Sequence, residues 1–78
     1  MKYVICSVRD AAVEAFMRPF PAESEKQAVR SFSDECFNME SPFAKHPDDY
    51  TLYKVGEFDS ETGNSVEFEA VPLARARS

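Results

Sequence analysis

Hydrophobic and polar residues alternate along two neighbouring stretches in the C-terminal half of the chain. Residues 50–58 have the alternation of a strand rich in aromatic and β-branched residues, and residues 64–71 alternate in the same way. Between them, the Asp59 side chain is suited to bonding turn amides, and Gly63 tolerates the positive φ that closes such a turn. Pro47 disfavours helix at the residue before it, so the chain enters the first strand extended. This pattern predicts a β-hairpin.

The N-terminal residues 2–9 alternate as well and predict a further strand. Its two faces carry Val4, Cys6 and Val8 on one side and Tyr3, Ile5 and Ser7 on the other. Both faces are fairly apolar, which indicates a central position in the sheet. Residues 10–14 fit either a turn or one helical turn. If residues 15–20 form a short strand that returns from the first, Pro19 confines it to a sheet edge because proline cannot donate to the ladder.

One helix is predicted to begin after Ser24. Ser24 and Gln27 have the spacing of a capping box, in which each side chain satisfies a free backbone N–H group of the first turn. An apolar stripe follows at helical spacing and consists of Ala28, Val29, Phe32, Cys36 and Phe37. Asn38 is a suitable stop, because asparagine tolerates the left-handed conformation found after helices. Residues 39–45 are expected to form a loop.

These elements predict an α+β fold, with one amphipathic helix on one face of a small antiparallel sheet of three to four strands. We expect a single domain over residues 1–72, with the last strand ending at Pro72 and a flexible basic tail over residues 73–78. The helix stripe is expected to pack against Val66, Phe68 and Ala70. The opposite face of the sheet is expected to expose some of Tyr3, Ile5, Tyr50, Leu52 and Phe58.

Several short motifs follow one another along the chain. They are SVRD at residues 7–10, RPF at 18–20, A-x-R-x-F at 28–32, HPDDYTLY at 46–53, G-x-FD at 56–59 and TG at 62–63. As an ordered set they resemble the small nonstructural protein of gokushovirus-type microviruses, which are tailless phages with a circular single-stranded DNA genome. The resemblance extends from residue 2 to about residue 72. It implies a cytoplasmic phage protein, absent from the capsid, that is linked to genome replication or to the switch to single-strand synthesis. It implies no chemical step.

The length and the net charge of the chain limit the kinds of partner that we expect. A chain of 78 residues buries only about 60% of the surface that its unfolded form exposes, so we expect self-association into a homodimer or higher oligomer. Residues 1–33 carry five cations and four carboxylates, whereas residues 34–71 carry two cations and ten carboxylates. A net charge of −5 counts against indiscriminate DNA binding. Short apolar runs and only two cysteines predict a protein of the bacterial cytoplasm, without a membrane span.

The first functional hypothesis is weak binding of single-stranded DNA by local cations interleaved with aromatic side chains. The candidate nucleic-acid-binding residues are Arg9, Arg18, Lys26, Arg30, Arg75 and Arg77. The candidate base-stacking residues are Tyr3, Phe16, Phe20 and Tyr53. In the alternative interpretation, the aromatic residues form the core and the cations only solvate the surface. The second hypothesis is a protein-interaction adaptor that engages the phage replication initiator or a host factor.

Catalysis is the least favoured function. His46, Asp48 and Asp49 have the side chains of a metal site or a proton relay. A loop before a strand is the favoured explanation, because no second histidine or cysteine cluster completes a metal shell. Cys6 and Cys36 both lie on predicted apolar faces, where a cysteine usually acts as a small hydrophobic residue. We therefore expect no enzyme activity, no cofactor and no bound metal.

Overall fold

A computed structural model describes residues 1–76 of the chain. The elements are β1 (Lys2–Asp10), β2 (Ala15–Phe16), β3 (Phe20–Ala22), α1 (Glu25–Cys36), α2 (Pro42–Lys45), β4 (Tyr50–Asp59) and β5 (Ser65–Arg75). The strands form one antiparallel sheet, and α1 is its main helix. The predicted α+β fold is confirmed.

The strand order in the sheet is β2-β1-β4-β5, with β3 also paired to β1. β2 lies beside the end of β1 and β3 beside its beginning, since Arg9 is opposite Phe16 and Cys6 is opposite Phe20. The edge strand predicted over residues 15–20 therefore exists as two pieces, separated by residues 17–19. Pro19 lies in that gap, where its missing N–H group removes no ladder bond.

The predicted hairpin is confirmed as β4 and β5. Gly63 has a φ of 77°, and its N–H group donates to the Asp59 carbonyl at 2.8 Å. The predicted end of the last strand at Pro72 is wrong, because β5 continues to Arg75 and places Ala74 opposite Leu52. An outermost strand accommodates a proline, since an N–H group on its free side has no ladder partner to lose. Residues 73–75 thus belong to the sheet.

Helix α1 begins where the capping pattern predicts. The Ser24 hydroxyl accepts from the Gln27 N–H at 3.1 Å, and the Gln27 side chain accepts from the Glu23 N–H, one residue before the predicted position. The helix ends at Cys36, so Phe37 leaves the stripe and is 83% exposed, contrary to prediction. The expected loop over residues 39–45 contains the short helix α2, which Ser41 caps.

The core lies between the helices and one face of the sheet. Its buried apolar residues are Cys6, Val8, Ala22, Ala28, Phe32, Phe43, Tyr50 and Leu52. Two predictions about the faces are wrong. Tyr50 and Leu52 were expected to face outward but are buried, while Val66 and Phe68 were expected in the core but are 60% and 39% exposed.

The physical reason is the position of α1 along the sheet. Lys54 on β4 contacts Glu25, the first residue of α1, with its Nζ atom 3.1 Å from the carboxylate. Residues 55–71 continue beyond that contact, so the hairpin projects past the start of the helix. The long axis of the molecule, 39 Å against 23 and 18 Å, fits this extension. Val66 and Phe68 therefore have no helix above them.

Candidate nucleic-acid interface

The face of the sheet opposite the helices carries one row of side chains that crosses four strands. Arg9 on β1 is opposite Phe16 on β2 and Thr51 on β4, and Thr51 is opposite Arg75 on β5. Residues directly opposite each other on antiparallel strands share a face. Arg9 alternates with the buried Val8, so the row lies on the face away from the core. We call this face the open face, and Arg9, Thr51 and Arg75 the basic row, beside which Phe16 lies on β2.

Strand spacing sets the separation of the two arginines. Neighbouring strands lie about 4.8 Å apart, so the backbones of Arg9 and Arg75 are about 10 Å apart across Thr51. None of the ion pairs between described residues involves Arg9. Arg75 is exposed and borders a shallow depression at the end of the sheet with Pro47 and Asp48. The row therefore places two guanidinium groups on one face of the sheet.

An aromatic pair adjoins the basic row. The rings of Phe16 and Tyr53 meet edge to face, with centroids 5.3 Å apart and planes 73° apart. Phe16 is 47% exposed and Tyr53 is half-buried. The next residue pair along the strands, Ser7 and Tyr53, anchors this region, because the buried Ser7 hydroxyl donates to the Met17 carbonyl at 2.7 Å. The result is a rigid apolar surface beside two cations.

The other candidate stacking residues lie elsewhere. Tyr3 is on the open face opposite Phe58, but four residues from Ser7 along β1, which is about 13 Å. Phe20 is opposite Cys6 and packs against the core, so it belongs to the helix-covered face. Of the four candidates, the structure brings together Phe16 and Tyr53.

The candidate cationic residues also lie on different parts of the molecule. Lys26 and Arg30 are exposed on α1, where they flank a groove closed by Leu73 on the helix side of the sheet. Arg18 is exposed in the connection between β2 and β3, beside a pocket formed with Phe20 and Phe32. Arg77 lies outside the described residues. Only Arg9 and Arg75 share the basic row.

Thr51 is an open-face residue that the sequence did not indicate as part of a site. Thr51 separates the two arginines, and its hydroxyl adds a polar group between them. Alternation along β4 already places Thr51 and Tyr53 on one face. Recognising the role of Thr51 needed the pairing register with β1 and β5, which alternation alone does not supply.

The His46–Asp49 segment forms a turn that ties two loops together. The Asp49 N–H donates to the His46 carbonyl at 3.1 Å, and the Asp49 carbonyl accepts from the Ala11 N–H at 2.8 Å. Within residues 1–76, no group of three His, Cys, Asp or Glu residues could hold a metal ion. The segment positions the start of β4.

The pKa values of the two cysteines and of Tyr50 are raised, which disfavours their deprotonated forms. Burial raises the pKa of the Cys6 thiol, and the nearby Glu25 carboxylate raises it further. Burial also raises the pKa of Cys36. A raised thiol pKa lowers the fraction of the nucleophilic thiolate. Tyr50 has a raised pKa because of burial and, next, the charge of Asp10.

A family model described as Phage ORF5 protein matches residues 3–77. No curated protein and no solved structure matches the chain. In the part of the chain that the structure describes, no helix is long and apolar enough to cross a membrane.

Proposed function

We propose that this chain, which belongs to the Phage ORF5 protein family, binds single-stranded DNA through the basic row and the Phe16–Tyr53 pair. The observation that supports this most is the cross-strand alignment of Arg9, Thr51 and Arg75 beside an exposed aromatic ring. Surfaces that bind single strands combine cations for the phosphates with aromatic rings on which bases stack.

The exposed aromatic ring favours single strands over duplexes. Unpaired bases can stack on Phe16, whereas paired bases in a duplex present only their edges. Helix α1 is a poor major-groove reader, since its exposed side mixes Lys26 and Arg30 with the carboxylates of Glu25, Asp34 and Glu35. Duplex DNA is therefore expected to bind more weakly than single-stranded DNA.

The biological setting follows from the motif resemblance. Similarity to the gokushovirus-type nonstructural protein supports a role in synthesis of a circular single-stranded genome in the bacterial cytoplasm. Such a genome provides the ligand that the basic row fits. Two aligned arginines give modest affinity, and this is compatible with a protein whose net charge is −5.

Fluorescence anisotropy with a labelled oligothymidine, begun at about 50 mM salt, tests the proposal. Two phosphate contacts predict that log K falls with log salt at a slope of about −1.4, at roughly 0.7 for each contact. Arg9→Ala and Arg75→Ala should each reduce the slope by about 0.7. Lys26→Ala and Arg30→Ala remove the same charge from the helix side and should leave the slope unchanged. A flat titration at low salt, or equal losses in both pairs of variants, contradicts the proposal.

The adaptor hypothesis predicts no DNA affinity at all. Leu52, which was expected to supply an outward apolar contact, is fully buried and is no part of any surface. Three of the exposed apolar residues that remain for a protein partner lie on β5, namely Val66, Phe68 and Val71.

A further inference from the structure

Residues 55–71 form a hairpin segment with an uneven charge, which we call the acidic hairpin. Its carboxylates are Glu57, Asp59, Glu61, Glu67 and Glu69. The same residues include no lysine or arginine. Lys54, at its base, is held by Glu25 and Glu57, and its Nζ atom lies 5.4 Å from the centre of the Phe68 ring. The surface of the segment is therefore strongly negative.

The acidic hairpin also contains a free strand edge. β5 is the outermost strand of the sheet, and its far side pairs with no other described strand. Its exposed apolar side chains are Val66, Phe68 and Val71. The opposite edge of the sheet is broken into β2 and β3, of two and three residues, and contains Pro21. Ser65–Val71 is the longer uninterrupted edge.

The middle residues of β5 are not paired with residues of β4. Pairing is regular from Ser65 to Glu67 and resumes at Val71, and residues 68–70 have no partner on β4. At this point the strands approach closely, because a Cβ atom on Gly56 would lie 2.6 Å from the Val66 carbonyl oxygen. Phe68 and Glu69 are exposed, so the outer side of this stretch is accessible to another extended chain.

We propose that the free edge of β5 over Ser65–Val71 binds an extended peptide segment of a protein partner, in which lysines or arginines alternate with apolar residues. A peptide that adds to a sheet edge gains main-chain hydrogen bonds, and its alternate side chains determine specificity. The apolar residues would contact Val66 and Phe68, and the cations would face Glu67 and Glu69. Pro72 limits the site at one end because it cannot donate to the new ladder.

The negative charge of this edge favours a basic peptide over a second copy of the chain and over DNA. A second copy of the chain, paired antiparallel across Phe68, would place Glu67 opposite Glu69 twice, and like charges directly opposite are destabilising. DNA would meet only carboxylates. A basic extended segment is the complement of this edge, and the inference does not depend on DNA binding at the basic row.

The test uses the full chain labelled with ¹⁵N, titrated at about 50 mM salt with the peptide Lys-Val-Lys-Val-Lys-Val-Lys. Amide shifts should concentrate on residues 65–71. A second peptide, Glu-Val-Glu-Val-Glu-Val-Glu, should not bind. A third, Lys-Pro-Lys-Pro-Lys-Pro-Lys, keeps the charge but lacks alternate N–H donors, and it should bind much more weakly.

The variant Glu67→Lys/Glu69→Lys should weaken binding of the lysine peptide roughly tenfold, since two exposed attractions become repulsions. Asp34→Lys/Glu40→Lys changes the net charge equally at exposed sites on another part of the chain and should bind as the unaltered protein does. Shifts mapped outside residues 65–71, equal binding of the proline peptide, or equal affinity of the two double variants would each overturn the proposal. Shifts on β5 that depend on protein concentration without peptide would identify a second copy as the occupant and also overturn it.

Discussion

The two ends of the β4–β5 pair differ in what covers them. At one end, residues 50–54 lie under α1 and α2, so one face of the sheet is core and the other carries the basic row. At the other end, the acidic hairpin projects past the helix and leaves Val66 and Phe68 exposed. The helices cover one face of the first region. The second region projects beyond them and has a free strand edge. One sheet therefore has a proposed DNA surface at one end and a proposed peptide surface at the other.

Lys54 marks the boundary between these regions. Its ammonium group binds Glu25 on α1 and Glu57 in the acidic hairpin, at 3.1 and 3.4 Å. The hydrogen bond to Glu25 is the main reason that the pKa of Lys54 is raised above its ordinary value. The positive charge is thereby held on the helix side, away from the open face.

The largest expected difference between the regions is in stability. Leu52→Ala removes a fully buried side chain and should lower the free energy of unfolding by about 2–5 kcal/mol. Val66→Ala truncates a side chain that is 60% exposed and should change it by less than about 0.5 kcal/mol. Urea denaturation measures both. Equal losses would show that the acidic hairpin is packed as tightly as the core.

A smaller effect is expected from Gly56→Ala. The new Cβ would meet the Val66 carbonyl oxygen at 2.6 Å, so the two strands must shift, at a cost of about 1–3 kcal/mol. Because Gly56 lies in the acidic hairpin, amide exchange should accelerate over residues 65–71. DNA affinity at the basic row should not change. Loss of DNA binding in this variant would show that the two regions are coupled.

Gly63→Ala is the matched control for that variant. Gly63 has a φ of 77° and open space around it, so the added Cβ costs only the left-handed conformation, about 1–2 kcal/mol. Exchange should accelerate at the turn and leave the pairing near Gly56 intact. If both glycine variants open the same amides, the close approach to Val66 is not the cause.

The sequence predicts those parts of the fold that depend on local chemistry. The Ser24 cap begins α1, and Gly63 closes the hairpin turn, because each needs only neighbouring residues. The covered face of β4 is different, since apolar residues occur on both of its faces and alternation alone does not choose between Leu52 and Tyr53. Which of the two residues is buried depends on the sheet face against which α1 packs, and tertiary contacts determine that face.

The candidate site shows the same limit. Arg9 was selected from its cationic character and the aromatic residues near it in sequence, and Arg75 from the basic end of the chain. Their alignment across Thr51 depends on the strand pairing. The pairing register shifts twice between β4 and β5, so counting residues from the turn would place Arg75 incorrectly. Lys26 and Arg30 lie on α1, so their side of the sheet depends on which sheet face the helix covers.

The most direct test of the central claim is an NMR titration of the ¹⁵N-labelled chain with unlabelled oligothymidine. Binding at the open face predicts amide shifts at Arg9, Phe16, Thr51 and Tyr53 and at Arg75, with residues 65–71 and the exposed side of α1 unchanged. Shifts centred on Lys26 and Arg30, or no shifts at about 50 mM salt, would contradict the assignment of DNA binding to the basic row.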